Sequence, residues 1–225
     1  MLHGKAVLTV LALVVGVAGQ SWGIQRVAAR FAYLELRFAY AMPQGEYDGL
    51  PGSEFETNDG YGLEIDGTHI YEDGYSFGLA YGRLFEGKWA LGAGFEYARH
   101  RVKNPIVVPG FEPVRFPERS TYHHYAIALR ATYSPLDLKE SGWSPYLGPA
   151  ATFGLAALTS PGYITEYEAD FGLDIEFGLD VTLWQAADNR SFLALSSINS
   201  WNFLATDDRV SHLQIGGGIR YFFKP

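Results

Sequence analysis

From Phe171 to Leu183 the chain alternates without a break. Phe171, Leu173, Ile175, Phe177, Leu179, Val181 and Leu183 occupy one frame, and Gly172, Asp174, Glu176, Gly178, Asp180 and Thr182 occupy the other. A period of two places the first set on one face of an extended strand and the second on the opposite face. A helix would scatter both sets around its axis and gather neither into a stripe.

Seven more segments carry the same period. Ala29–Met42 sets Ala32, Leu34, Leu36, Phe38 and Tyr40 against Tyr33, Glu35, Arg37 and Ala39. Tyr75–Phe85 and Trp89–Val102 flank Glu86-Gly87-Lys88, a connection of hairpin length. Thr121–Ser134, Trp143–Leu155 and Ser211–Phe223 follow the pattern, and Arg190–Trp201 follows it weakly because neither of its frames is uniformly apolar. Eight segments of this kind predict an all-β chain: an eight-stranded antiparallel up-and-down barrel.

The frame opposite the apolar one decides between a soluble sheet and one in lipid. A strand facing water on its second side would be dense in Lys, Glu, Thr and Gln. Here that side is mostly Gly, Ala and Ser with isolated charges, which suits the narrow interior of an eight-strand barrel. Mean hydropathy of −0.04 agrees, because a membrane barrel is apolar on one face only and averages out. The connections alternate long and short, at roughly 43–74, 86–88, 103–119, 135–142, 156–167, 184–190 and 202–210. Aromatics form two sets near the strand ends. Phe85, Trp89, Tyr133, Trp143, Tyr221 and Phe223 lie toward the short turns, and Tyr40, Tyr75, Tyr97, Tyr125 and Trp201 toward the long loops. Rings so placed mark the two headgroup levels of a membrane.

The first residues read as an export leader. Lys5 precedes an apolar run from Ala6 to Val17, too short to span a bilayer, and Val17, Ala18 and Gly19 are small, so cleavage is expected after Gly19. Residues 20–28 then form a periplasmic N-terminal segment before a barrel over 29–225. No cysteine is present, so no disulfide can hold the fold. A net charge of −8, which becomes −9 if Lys5 leaves, argues against nucleic acid as a partner.

The alternation, the loop asymmetry, the Pro145-Tyr146-Leu147-Gly148 start of the fifth strand and the closing Gly216-Gly217-Gly218-Ile219-Arg220-Tyr221-Phe222-Phe223 resemble the small outer-membrane β-barrel superfamily that includes the OmpA and OmpX barrels. The resemblance implies residence in the bacterial outer membrane. It also implies that Phe223, with Tyr221 and Ile219 in its frame, is the terminal signal read by the barrel-assembly machinery, here followed by Lys224 and Pro225. The chain stops where the barrel stops, so the peptidoglycan-binding domain of OmpA-type proteins is not expected.

Three groups of residues are candidates for function. Glu35, Arg37, Glu96, Arg130, Asp174, Glu176, Asp180 and Arg220 fall in the inner frames, with His100, His124, His212 and Gln214. Buried ions of opposite sign must pair, so these predict a lumen charge network, either a structural plug or the lining of a narrow porin-like channel. The loop from Pro43 to Asp73 carries nine carboxylates and no Lys or Arg, and Glu56, Asn58, Asp59 and Asp66 are its candidate divalent-cation ligands, although their spacing is not that of an EF-hand. Arg99 and Arg101 fall in the outward frame at the loop end of the third strand, where lipopolysaccharide phosphates or simple snorkelling would account for them.

The next loop is stiffened by Pro105, Pro109, Pro113 and Pro117. Ser120, His123 and His124, and likewise Ser211 and His212, sit at a height where a lipid A-modifying enzyme would place its centre, but no motif joins them. The reading is a non-enzymatic, cofactor-free and monomeric surface barrel serving envelope integrity, adhesion or ligand contact.

Overall fold

The computed structural model describes residues 29–44, 46–48, 64–66, 71–105, 115, 119–159, 166–205 and 211–225. The expected leader and the segment 20–28 lie outside them. The strands are β1 (Ala29–Gln44), β2 (Glu46–Asp48), β3 (Glu64–Asp66), β4 (Gly74–Phe85), β5 (Trp89–Arg101), β6 (Thr121–Tyr133), β7 (Trp143–Thr159), β8 (Glu166–Gln185), β9 (Ser191–Ala205) and β10 (Ser211–Phe223), and a single helical turn, α1 (Leu138–Ser141), precedes β7. The eight long strands close into an antiparallel barrel in the order β1-β10-β9-β8-β7-β6-β5-β4, so each pairs with its chain neighbour and β1 seals against β10. Closure removes the free edges that a hydrocarbon medium would penalise.

The expected strands are all present, and several are longer than the apolar pattern indicated. β7, β8 and β9 continue past the greasy stretch toward the loop end, so the connections expected over 156–167 and 202–210 shrink to 160–165 and 206–210. The ladder extends because unpaired backbone groups gain from pairing even where no lipid-facing side chain is needed. The first loop contains β2 and β3, a two-stranded ribbon that the alternation did not announce.

The tightest hairpin joins β4 to β5. Glu86 and Gly87 both have positive φ, 51° and 72°, and Lys88 N–H donates to Phe85 O at 3.0 Å. That is the paired left-handed geometry whose twist matches the strands it connects.

Side chains sort as the period requires. Leu34, Leu36, Phe38, Leu79, Phe95, Ile127, Leu147, Leu179 and Ile215 are exposed on the exterior, Phe38 to 59% and Ile127 to 60%. In water these residues would make an apolar surface far larger than the few hundred Å² a soluble protein shows; against acyl chains it is the required surface. Trp89, Tyr133, Trp143 and Tyr221 stand exposed near the short turns, and Tyr40, Tyr75, Tyr125 and Trp201 near the long loops. Trp184 joins the first ring, because a register shift between Thr182 and Trp184 leaves Leu183 and Trp184 both facing outward. From Trp89 to Tyr97 the exterior of β5 matches the roughly 9–11 residues with which a tilted strand crosses a bilayer. Among the described residues no helix is long and apolar enough to do so.

β9 read weakly in sequence because its frames are mixed. Phe192, Ala194, Ser196, Ile198 and Ser200 are buried inward, while Ser197 and Asn199 face out among Leu195 and Trp201. The two outward polar side chains are satisfied within the sheet. Ser197 Oγ accepts from Leu179 N at 3.0 Å, and Asn199 Nδ2 donates to Phe177 O at 3.3 Å. A polar group in lipid is tolerable when it is bonded to its own sheet.

Candidate functional site

The interior is filled in layers, starting at the short-turn end. Phe31, Tyr33, Leu84, Leu138, Phe192, Ala194 and Phe222 form one buried cluster there, with Ala90 against it. Phe192 stacks on Phe222 at 4.3 Å between ring centroids and meets Phe31 edge-on at 5.1 Å. Leu138 reaches the cluster because the turn before β7 folds under the barrel. Asp137 caps α1 by accepting from Lys139 N at 3.0 Å, Gly142 ends it at φ 76°, and Thr182 N–H donates to Gly142 O at 2.8 Å. Tyr33 lies across Gly82 and Gly92, where an added Cβ would come within 2.4 Å of its ring or hydroxyl. Two glycines in register are what leave room for that ring.

The charge network occupies the next layer. Arg37 Nη1 donates to Glu176 Oε1 at 2.6 Å, and Arg37 Nη2 to Glu35 Oε1 at 2.8 Å; Glu96 lies 3.4 Å from the same guanidinium. Arg130 donates to Glu176 through Nε at 2.7 Å and also to Glu96. Arg220 Nη1 donates to Asp180 Oδ2 at 2.7 Å and Nη2 to Glu35 Oε1 at 3.3 Å, and its guanidinium sits over the Tyr146 ring at 4.7 Å. Ser196 donates to the other oxygen of Asp180. Strands β1, β5, β6, β8 and β10 thus converge on one layer, with four carboxylates set against three guanidiniums. Glu35 and Glu176 are 1% and 2% exposed, so these pairs are dry and strongly coupled. Gly78 makes the space for Arg37, whose Cγ would lie 2.7 Å from a Cβ there.

Seven of the eight expected network residues are joined by these contacts. Asp174 is buried on the inner face of β8, closer to the loop end. In that part of the lumen His124 Nε2 lies 2.8 Å from Asp170 Oδ2, a pairing that the alternation did not single out because Asp170 precedes the strictly alternating run. Gln214 is buried there too; the His212 side chain lies outside the described residues.

The loop end is partly roofed by Tyr71, which bridges to Val102 and packs on Tyr122 at 5.5 Å between ring centroids. Glu72 N–H donates to Arg101 O at 2.8 Å and the Glu72 carbonyl lies 3.2 Å from His100 Nδ1, so the end of the first loop is tied down onto β5. Burial pushes the Tyr71 hydroxyl well above its ordinary pKa.

The rims hold the remaining candidates. Arg99 and Arg101 face outward, and Arg99 Nη1 lies 3.4 Å from the Tyr75 hydroxyl to which it donates. Ile219 and Tyr221 are exposed on the exterior of the closing strand, with the Phe223 ring 5.9 Å from that of Tyr221, and Lys224 N–H donates to Arg190 O at 2.9 Å. His123 and His124 do not serve one centre. His123 faces outward against Tyr97, 2.9 Å from its hydroxyl, while His124 faces the lumen. Glu56, Asn58 and Asp59 lie outside the described residues, and Asp66 falls in β3, directly opposite Glu46. Among the described residues no group of three or more His, Asp or Glu is placed to hold a metal ion.

No protein-family model matches the chain, and no curated protein does. Solved structures do. The outer membrane protein OprG of Pseudomonas aeruginosa aligns with a TM-score of 0.56 at 15% identity over 88% of this chain and 97% of its own. Neisserial surface protein A aligns at 0.47 and 16% identity over 84% and 95%, and Ail, the attachment invasion locus protein of Yersinia pestis, at 0.46 and 14% over 87% and 100%. Closed strand order, lipid-facing exterior and the OprG alignment agree: this chain has the fold of the small eight-stranded outer-membrane β-barrels.

Proposed function

We propose that the chain is a non-enzymatic and non-conducting outer-membrane barrel, an anchor that displays its loops at the cell surface for envelope integrity, adhesion or ligand contact. The lumen carries this reading. An aromatic plug seals one end, a dry ion layer crosses the middle, and Tyr71, Val102, His100 and Tyr122 fill part of the other. An eight-strand interior filled by side chains supports a closed lumen over a water path. Single-channel recording of the refolded chain in planar bilayers is expected to be silent. Steady unitary conductance would instead favour the narrow-channel reading. Ile219, Tyr221 and Phe223, outward on the closing strand, suit a terminal signal for the assembly machinery.

The ribbon in the first loop favours divalent cations as surface partners. Its backbone register pairs Glu46 with Asp66 and Asp48 with Glu64, in a loop of nine carboxylates without Lys or Arg whose mutual repulsion a cation would relieve. Calorimetric titration with Ca²⁺ should give a saturable heat that disappears when all four are changed to Gln or Asn. Heat that survives those changes discards the idea.

A further inference from the structure

The exterior of β1, β4, β5 and β6 carries a row that the lipid-facing role does not require. Pairing places Tyr40, Tyr75, Arg99 and His123 side by side across four strands at the loop end, with Phe77, Tyr97 and Tyr125 in the row beneath and Arg101 one outward step above. Arg99 and Arg101 set two guanidiniums two residues apart on the outward face of β5, with Tyr75 and His123 flanking Arg99 in register. In a chain of net charge −8 that gathering is selective.

The side chains are held in place. Arg99 donates to the Tyr75 hydroxyl, His123 Nδ1 is 2.9 Å from the Tyr97 hydroxyl, and the His123 and Tyr125 rings stack within 8° of parallel. Snorkelling explains a long side chain that stretches toward water. It does not explain Arg99 held back on a tyrosine of its own row, with an Nε–H that is shielded from water and has no partner among the described residues. A shielded guanidinium donor at headgroup depth calls for an anionic oxygen acceptor, and a planar fork above aromatic rings matches a phosphate in two-point contact.

We infer that Arg99, Arg101 and His123, positioned by Tyr75 and Tyr97, form a docking site for a phosphate of the outer-leaflet glycolipid, lipopolysaccharide. The inference rests on the outer-membrane reading above and adds a specific lipid partner on one side of the barrel. Arg99 and Arg101 supply charge-assisted hydrogen bonds, and the tyrosine rows fix their height against the headgroup.

The test uses the full chain refolded in detergent, checked for heat-modifiable gel mobility, and native mass spectrometry with bisphosphorylated lipid A as probe. Retained lipid A is expected on the unmodified chain, with much weaker retention of lipid A stripped of its phosphates. The Arg99→Gln/Arg101→Gln variant should bind about tenfold more weakly, as loss of one or two charge-assisted hydrogen bonds implies. Arg83→Gln, which removes an exposed cation near the short turns, should leave retention unchanged. Equal retention of both lipids, unchanged retention by the double variant, equal loss in Arg83→Gln, or displacement of the lipid by millimolar inorganic phosphate would each overturn the site. The two-lipid comparison on the unmodified chain decides the matter even if the double variant misfolds. A chain that shows no heat-modifiable barrel at all overturns the outer-membrane reading, whereas a folded barrel that ignores lipid A overturns this inference alone.

Discussion

Replacing Glu176 by Ala is expected to destabilise the barrel by about 3–5 kcal/mol, the scale for removing one partner from a buried ion network. One oxygen of Glu176 accepts from both Arg37 and Arg130, and all three side chains are buried. Without it, two guanidiniums face each other across a dry lumen, with Glu35 and Glu96 left to neutralise both. Urea unfolding in lipid vesicles, followed by tryptophan fluorescence, gives the number. The paired change Glu176→Met/Arg37→Met removes charge of both signs and should cost clearly less than the two single changes added together. A loss below about 1 kcal/mol for Glu176→Ala, the scale of a solvated pair, would mean that the layer is wet and the lumen open.

Phe192→Ala should have an effect of similar size, about 3–5 kcal/mol, through a different mechanism. Phe192 is 1% exposed and touches both Phe31 and Phe222, so its loss leaves a cavity that neither neighbour can collapse into from a hydrogen-bonded strand. The same urea experiment reads it. Phe192→Leu keeps most of the volume and should recover most of the stability. Equal losses for Ala and Leu would show that ring stacking, not filling, holds the plug.

Much of this architecture was legible in residue order. A period of two sustained in β8 fixed which side chains meet lipid, and the small inner frame fixed how narrow the interior had to be. The ion layer was legible for a related reason: charges in a frame that cannot reach water have to find one another. Height along the axis was less visible, because period assigns a face and not a level. Asp174 therefore read as equivalent to Glu176, while Asp170 and its partner His124 went unmatched. The aromatic plug was hidden by the rule that found the barrel. Phe31 and Phe222 stand in inner frames read as small, Phe192 in a segment whose frames were mixed, and only the barrel's closure shows that they converge on one end with Leu138 from the turn below. Ser197 and Asn199 blurred β9 because their hydrogen bonds to the β8 backbone appear only once the strands are paired.

The seam between β1 and β10 bears on how the protein reaches its membrane. Glu35 on the first long strand is matched by Arg220 on the last, 185 positions away, and the ladder that brings them together runs from Ala32–Phe223 to Gln44–Ser211. Closing so long a stretch of chain is entropically unfavourable until the final contacts repay it. One edge of the first strand pairs with β4, and its other edge has no mate until the last strand has been delivered. Assembly in the membrane therefore waits for the complete set of strands, because a half-cylinder of this sequence keeps two unfinished edges.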